Sequence, residues 1–100
     1  LFRCWTEPEL MKLWFTPAFH EQRTADLVGY RNMLTRQPLA GYTGTCAALR
    51  DVDYTEAARA IAVPTLCVVG DQDGSTPPAL VRSMADLIPG SRFKIIDGAG

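Results

Sequence analysis

The sequence has no strong excess of charge of either sign and no long apolar run, and these absences exclude two kinds of partner. Ten basic and eleven acidic residues give a net charge of −1, so no basic stripe is available to bind nucleic-acid phosphates. The longest apolar stretch, residues 61–69, is interrupted by Pro64 and falls far short of the roughly 20 residues that a membrane-spanning helix needs. We therefore expect neither a nucleic-acid partner nor a membrane partner.

Paired cysteines are also lacking. Cys4, Cys46 and Cys67 are an odd number and include no CxxC pair, which argues against both a disulfide framework and a zinc knuckle. Cysteine usage of this kind fits a reducing compartment and predicts a cytoplasmic protein. Cys67, in the middle of an apolar run, is expected to be a small core residue.

What is present is the composition of a globular domain. Hydrophobic residues make up 47% of the 100 residues and charged residues 21%, which predicts a core in one domain at most. The chain begins at Leu1 rather than methionine, carries no charged-then-apolar leader, and stops at Gly100 directly after a predicted strand. We expect it to be a piece of a longer protein.

The first part of the chain carries the signals of short helices. Thr6 and Glu9 form a capping-box pattern, and Pro17 interrupts the apolar run that follows because proline cannot donate to the helical hydrogen-bond ladder. Apolar residues recur at spacings of three and four further along the chain. The predicted helices lie between Thr6 and Pro17, over residues 24–35, over residues 39–50, and over residues 53–61.

The hydrophobic period changes at Pro64. Residues 65–69 form a continuous apolar and β-branched run, typical of a strand buried on both faces of a parallel sheet. A helix capped by Thr76 is predicted next, with two prolines in its first turn, and residues 92–96 form a second strand. This strand, helix and strand predict a right-handed parallel crossover. One helix cannot cover both faces, so the missing layers must come from elsewhere.

Two acidic residues lie in the loop after the first predicted strand. Asp71 and Asp73 follow Gly70 at the carboxyl end of that strand, where open α/β sheets place ligands and catalytic groups. One interpretation is that both are turn-forming residues, whose side chains accept hydrogen bonds from nearby backbone N–H groups. Asp73 is the better functional candidate because it lies deeper in the loop and precedes Gly74, which lets the backbone turn. A carboxylate so placed could orient an imidazole.

Three stretches of the sequence carry a family resemblance. Residues 13–19 are LWFTPAF, residues 41–53 are GYTGTCAALRDVD, and residues 63–73 are VPTLCVVGDQD. Together they resemble the second half of the 3-oxoadipate enol-lactonases, which are α/β-hydrolases of aromatic-compound degradation. The third stretch is shared by many α/β-hydrolases, whereas the first two narrow the resemblance to the lactonases. The resemblance covers essentially the whole chain.

The resemblance implies a fold class and an organisation of the chain. The implied fold is α/β, a fragment of an α/β-hydrolase. Residues 1–62 would be a helical cap segment, and residues 63–100 would carry the last two parallel core strands with their crossover helix. The remaining partners of this chain would be the amino-terminal half of its own enzyme and the carboxyl-terminal histidine segment.

The resemblance also implies roles for individual residues. By position, Asp73 matches the triad acid of the family, and the family's histidine follows the turn that corresponds to residues 97–100, one step beyond the chain. The chain contains no G-x-S-x-G motif, so the nucleophile is expected outside it. Its only histidine, His20, is expected to pack in the cap region or face solvent rather than join the triad.

Aromatic residues lie where the cap of the family would cover the active site. Trp14, Phe15 and Phe19 are candidates for substrate contact, although aromatic residues at this spacing are more often part of the cap core. The lactone of the family carries a carboxylate arm, which a nearby cation would bind. The available cations, among which the sequence does not select, are Arg3, Lys12, Arg23 and Arg50.

Two classes of function fit these residues. The complete protein is predicted to hydrolyse 3-oxoadipate enol-lactone to 3-oxoadipate through a serine acyl-enzyme, without a metal or organic cofactor; the isolated chain is expected to be inactive. An esterase or a cofactor-free haloperoxidase-like member of the same fold would use the same residues. A noncatalytic helical binding module is the alternative from another class. A G-x-S-x-G motif upstream and a histidine directly after Gly100 in the flanking reading frame would favour the enzyme.

Overall fold

A computed structural model describes residues 5–100 of the chain. The predictions made for Arg3 and Cys4 lie outside these residues. The described residues divide between Val52 and Asp53 into two compact units. We call them the helical unit, up to Val52, and the sheet unit, from Asp53.

Four helices make up the described part of the helical unit. The structure confirms the predicted capping pair at the first of them, because Glu9 accepts hydrogen bonds from the backbone N–H and the hydroxyl of Thr6, both at 2.8 Å. The third helix has the predicted bounds, and the fourth extends one residue further than predicted. The helices are α1 (Glu7–Trp14), α2 (Pro17–Gln22), α3 (Thr24–Thr35) and α4 (Leu39–Asp51).

Pro17 interrupts the first helix as predicted, but it also begins α2, a helix that the sequence analysis did not predict. The hydroxyl oxygen of Thr16 accepts the backbone N–H of Phe19 at 3.2 Å and so caps α2. Proline suits the first helical position because an N–H there has no partner within the helix. The pair Thr16-Pro17 is therefore both the end of one helix and the start of the next.

Contacts of α3 with α1 and α2 organise the helical unit. Arg31 of α3 places its Nε 2.9 Å from Oε1 of Glu7 on α1, and Met11 of α1 is buried. Tyr42 connects α4 to the segment before α1, since its hydroxyl donates to the Trp5 carbonyl at 2.9 Å. These contacts tie α3 and α4 to α1 or its leading segment, and α2 to α3.

Two helices and two parallel strands form the sheet unit: α5 (Thr55–Arg59), β1 (Leu66–Gly70), α6 (Pro78–Leu87) and β2 (Arg92–Ile96). In the register of the strands, Leu66 lies opposite Arg92 and Gly70 opposite Ile96. The predicted strand, helix and strand and the α/β fold class are confirmed. Helix α5 contacts α6 and so belongs to the sheet unit, although the sequence analysis placed residues 53–61 in the cap segment. The functional division of the chain at residue 62 stays a prediction.

In the described part of the chain, one face of the sheet is covered and the other is open. Cys67 of β1 packs with Ala85 and Ile88 in the core of the sheet unit, as expected for a small core residue. Leu66 and Val68 point to the opposite face and are 51% and 50% exposed. This open face agrees with the expectation that one helix cannot cover both faces, and burial of β1 on both faces stays a prediction for the complete protein. A second covering layer is what parallel sheets normally have.

Candidate functional site

The loop that follows β1 is joined to the turn that follows β2. Asp71 donates its backbone N–H to the Ile96 carbonyl at 3.0 Å, and Gln72 donates its own to the Ala99 carbonyl at 2.9 Å. A Cβ atom at Gly70 would overlap the Ala99 carbonyl oxygen, so this close approach requires glycine. The carboxyl ends of both strands therefore meet, and such edges of α/β sheets are where ligands bind.

Hydrogen bonds within this loop hold the carboxylate of Asp73, the predicted acid. Its Oδ1 accepts the backbone N–H groups of Ser75 at 2.9 Å and Thr76 at 2.8 Å, and its Oδ2 accepts the Thr76 hydroxyl at 2.8 Å. The residue is half-buried. Because a carboxylate offers about four acceptor positions, Oδ2 keeps one for a donor from outside the loop.

These surroundings keep the carboxyl group of Asp73 ionised. Burial by itself would raise the pKa, but hydrogen bonds from the backbone and hydroxyl groups of Thr76 and Ser75 together outweigh burial and hold the pKa below its ordinary value. At neutral pH the group is a carboxylate. That is the protonation state that accepts the N–H of an imidazole.

Asp71 makes a different contact. Its Oδ1 accepts the backbone N–H of Ala99 at 3.2 Å, and the residue is exposed. Both acids thus bond backbone N–H groups, as turn-forming residues do. The bonds of Asp73 stay within its own loop, whereas the bond of Asp71 crosses to the turn after β2. The catalytic role assigned to Asp73 stays a prediction.

The prediction that Thr76 caps the helix after the loop is wrong. Helix α6 begins at Pro78, its N-cap is Pro77, and no side chain makes a capping bond. The residue before a proline is driven to extended backbone, and Pro77 accordingly has φ −63° and ψ 158°. The helix therefore begins one residue too late for Thr76 to cap it. The Thr76 hydroxyl donates to Asp73 instead.

The three aromatic residues predicted to contact substrate lie in the helical unit. Phe19 stacks on Phe15 with ring centroids 5.0 Å apart, and the ring of Tyr30 lies at the same distance from Phe15. Phe19 is not among the residues that line the neighbouring cavity of about 400 Å³. Its lining consists of Met11, Trp14, Phe15, Tyr30, Met33, Leu34 and Gln37.

The sequence analysis did not include Tyr30 and Met33 in this site. The two residues are three apart on α3, a spacing that puts side chains on the same helical face. Both are large and more than 40% exposed, at 46% and 59%. An aromatic residue and a methionine at this spacing are the signal that could have found them.

The single histidine of the chain lies in the helical unit, whereas Asp73 lies in the sheet unit. The Nε2 atom of His20 lies 2.9 Å from the Met11 carbonyl oxygen. Because a carbonyl oxygen can only accept, this nitrogen carries the hydrogen in the bond. His20 is half-buried and packs within the helices, in line with the expectation for it.

Two of the four candidate cations pair with neighbouring carboxylates. Arg23 lies 2.6 Å from Asp26, and Arg50 forms two hydrogen bonds with Asp51, at 2.6 and 2.7 Å. Lys12 is exposed. None of these three basic residues is among those lining the aromatic cavity. The structure therefore adds no support for a particular cation as the partner of a substrate carboxylate.

A second cavity, a groove of about 630 Å³, lies beside α5 and α6 in the sheet unit. The sequence analysis did not predict it. Thr76 lines the groove, but Asp73 does not. The groove offers apolar contacts and no carboxylate. Its main apolar lining residues are Tyr54, Ala58, Ile61, Leu80, Met84 and Leu87.

Residues 5–100 offer neither a cluster of metal ligands nor a membrane-spanning helix, and their cysteines are unpaired. The described His, Cys, Asp and Glu side chains form no group of three or more that could hold a metal ion. Cys46 and Cys67 are both buried and free. No described helix is both long enough and apolar enough to cross a membrane.

Comparisons with known proteins show which proteins the chain resembles in sequence and in shape. The chain is 27% identical over 86 residues to 3-oxoadipate enol-lactonase 2 of Acinetobacter baylyi. The aligned region covers 86% of this chain and 32% of that protein. No family model matches the chain. The similarity at this level is distant, and it extends over most of both units.

Two solved structures match the chain in shape. A thermophilic esterase from Thermogutta terrifontis, in a malate-bound structure, matches with a TM-score of 0.85 and 26% identity over 94% of this chain and 35% of that one. A hydrolase from Pseudomonas aeruginosa PA01 matches with a TM-score of 0.75 and 25% identity over 90% and 34% of the two chains. The chain thus spans about a third of the length of the relatives it matches. It belongs to the α/β-hydrolase superfamily, of whose fold it forms a part.

Proposed function

We propose that this chain is part of a serine hydrolase that opens 3-oxoadipate enol-lactone to 3-oxoadipate, with Asp73 as the acid of its catalytic triad. One observation carries the proposal: an ionised carboxylate lies at the carboxyl end of β1, held by three hydrogen bonds, with an acceptor position still open on Oδ2. The similarity to an enol-lactonase supports the choice of substrate.

The proposed reaction requires groups that these 100 residues do not contain. A serine hydroxyl attacks the lactone carbonyl while a histidine takes its proton, and the same histidine returns the proton to the ring oxygen as the ring C–O bond breaks. Water activated by the histidine then releases the acid and regenerates the serine. The serine, the histidine and the oxyanion-hole donors would come from other segments of the complete protein, since the sequence has no G-x-S-x-G motif and its one histidine bonds the Met11 carbonyl.

Asp73 would act on the histidine rather than on the lactone. Its Oδ2 would accept the N–H of the imidazole, which fixes the tautomer that takes the serine proton and stabilises the imidazolium that forms. The pKa of Asp73, held below its ordinary value by Thr76 and Ser75, supports this role because the group must stay ionised. The carboxylate of Asp71 is less suited, since its Oδ1 bonds the turn that follows β2.

Trp14 and Phe15 would supply apolar contact to the substrate. Their position in the lining of the aromatic cavity supports this part of the proposal. Phe19 would act behind them by packing against Phe15. The proposed location of the enzyme is the cytoplasm, which the buried free thiols of Cys46 and Cys67 support.

A second candidate function is hydrolysis of a simple carboxylic ester. The similarity in shape to a thermophilic esterase, with a TM-score of 0.85, favours it. An esterase of this superfamily would use the same loop and the same acid. The two candidates therefore differ in the substrate cavity and not in the role of Asp73.

Assay of the complete protein on two substrates separates these functions. We expect hydrolysis of 3-oxoadipate enol-lactone with kcat/KM above about 10⁴ M⁻¹s⁻¹, a value typical of enzymes acting on their own substrates, and slower hydrolysis of p-nitrophenyl acetate. The reverse order would favour the esterase. A folded protein that hydrolyses neither substrate and is not labelled by a fluorophosphonate, which reacts with activated serines, would indicate the noncatalytic binding module.

A further inference from the structure

Thr76 contacts both oxygen atoms of the Asp73 carboxylate. Its backbone N–H donates to Oδ1 and its hydroxyl donates to Oδ2, each at 2.8 Å. A carboxylate held at one oxygen can still rotate about the bond that joins it to Cβ. Donors from one residue to both oxygens oppose that rotation and so define where the open acceptor position of Oδ2 points.

The hydroxyl of Thr76 has no other structural task among the described residues. The first hydrogen bonds of α6 run to the carbonyl of Pro77, from Leu80 at 2.9 Å and from Val81 at 3.2 Å, and no side chain caps the helix. Thr76 itself is exposed. Loss of the hydroxyl should therefore leave α6 and the sheet unit in place.

We infer that Thr76 is a positioning residue, whose hydroxyl orients the Asp73 carboxylate toward the catalytic imidazole. The inference rests on the proposed function of Asp73 as the triad acid. It differs from a purely structural role for Thr76, which would stabilise the loop without changing the chemical step. Displacement of a catalytic group by about 1 Å can slow a reaction by about 100-fold.

The test uses the complete protein and three variants. Thr76→Val keeps the shape of the side chain and places a methyl group where the hydroxyl now donates to Oδ2 of Asp73. Thr76→Ser keeps the hydroxyl. Thr65→Val is the matched control, because the Thr65 hydroxyl donates to the Val63 carbonyl at 2.9 Å and serves no proposed catalytic group.

Two measurements are made on each variant. Hydrolysis of 3-oxoadipate enol-lactone and p-nitrophenyl acetate gives kcat and KM, and the carboxyl ¹³C shift of Asp73, followed by NMR against pH, gives its pKa. For Thr76→Val we expect kcat to fall roughly tenfold with KM unchanged. Loss of a donor to the ionised form should raise the pKa of Asp73. Thr76→Ser should restore both values, and Thr65→Val should match the parent.

Two results would overturn the inference. One is a Thr76→Val variant with parental kcat, whether or not the pKa of Asp73 moves; another is a loss of kcat that Thr76→Ser does not restore. If Thr76→Val fails to fold, as judged by its thermal melt, Thr76→Ala removes the same hydroxyl and takes its place. The variant Asp73→Asn separates failure of this inference from failure of the proposed function. A fully active Asp73→Asn variant contradicts the assignment of Asp73 as the triad acid. An inactive Asp73→Asn variant together with a fully active Thr76→Val variant contradicts only the role of Thr76.

Discussion

The loop after β1 and the aromatic cavity of the helical unit are built in different ways. In the loop, Asp71 and Asp73 are fixed by hydrogen bonds of 2.8 to 3.2 Å to backbone N–H groups and a hydroxyl. In the cavity, Trp14 is 44% exposed, and Phe15 is held against Phe19 and Tyr30 by ring contacts at 5.0 Å. Hydrogen bonds define direction, whereas ring packing defines shape.

This difference predicts which kinetic constant each region controls. The rate of a proton transfer depends on the orientation of the group that holds the imidazole, so changes in the loop should act on kcat. Contacts made equally in the bound substrate and in the transition state change KM and leave kcat as it was. We therefore expect loop variants and cavity variants to separate in a kcat against KM comparison.

The largest expected effect is the complete loss of activity in the 100-residue chain by itself. Neither region has a G-x-S-x-G motif, so neither can form an acyl-enzyme. The purified chain should not hydrolyse enol-lactone or p-nitrophenyl acetate, as followed by absorbance. Turnover that disappears when Ser75, Ser83 or Ser91 is replaced would contradict this and would give the sheet unit a nucleophile of its own.

The same chain should also lack a cooperative thermal transition. Leu66 and Val68 are about half exposed on the open face of the sheet, so the chain buries less apolar surface than its conformational entropy requires. Self-association or a molten-globule state is the expected result, measured by calorimetry and size-exclusion chromatography. A monomer with a sharp transition would show that the two units are stable without further layers.

Next in size is Asp73→Asn in the complete protein. The amide replaces Oδ2, the oxygen that would accept the imidazole N–H, with a donor that favours the wrong tautomer; the corresponding change in a serine protease costs about 10⁴ in kcat. We expect kcat to fall by about 10² to 10⁴ with KM and the melting temperature almost unchanged. A change confined to KM would remove the distinction between the two regions.

The sequence was enough to predict the two strands of the sheet unit because their signals are local. The apolar run at residues 65–69 and the carboxyl-terminal strand at 92–96 lie between prolines and glycines that leave few alternatives, and β1 and β2 have nearly these bounds. The prediction at Thr76 was wrong because two prolines are adjacent. Pro78 drives the backbone of Pro77 to an extended conformation, so Pro77 and not Thr76 is the N-cap of α6.

The helical unit was harder to predict because packing between helices decides its details. Nothing near Pro17 distinguishes a break from a new start until the Thr16 cap is seen. The aromatic cavity needs Tyr30 from another helix, which the position of Trp14 and Phe15 in the sequence cannot supply. The candidate acid lies at the end of a strand, and the sequence signals of that strand predict its position. The position of the cavity depends instead on how the helices pack.

A moderate effect is expected from Trp14→Leu. The exposed indole lines the cavity without being buried in the core, so its loss should reduce aromatic contact to substrate and leave the fold stable. We expect KM for the enol-lactone to rise roughly tenfold with kcat unchanged, the size of one lost aromatic contact.

Tyr54→Leu is the matched control for Trp14→Leu. Tyr54 is an aromatic residue with 70% exposure that lines the groove of the sheet unit instead. Its replacement should leave both constants at the parental values. An equal rise in KM for Tyr54→Leu, or a fall in kcat for Trp14→Leu, would show that the aromatic cavity does not act through binding.

The smallest effect is expected from Asp71→Asn, which tests the comparison inside the loop itself. Asparagine keeps a carbonyl oxygen where Oδ1 accepts the Ala99 N–H at 3.2 Å, so the bond to the turn after β2 is retained and only a charge on an exposed side chain is lost. We expect kcat to stay within roughly tenfold of the parent, because lost surface charge costs little when the hydrogen bond survives. Asp71→Ala removes the acceptor as well and should lower the melting temperature more than Asp71→Asn does. If Asp71→Asn proves the crippling change and Asp73→Asn remains active, the triad acid is Asp71, and the open position on Oδ2 of Asp73 does not serve the imidazole.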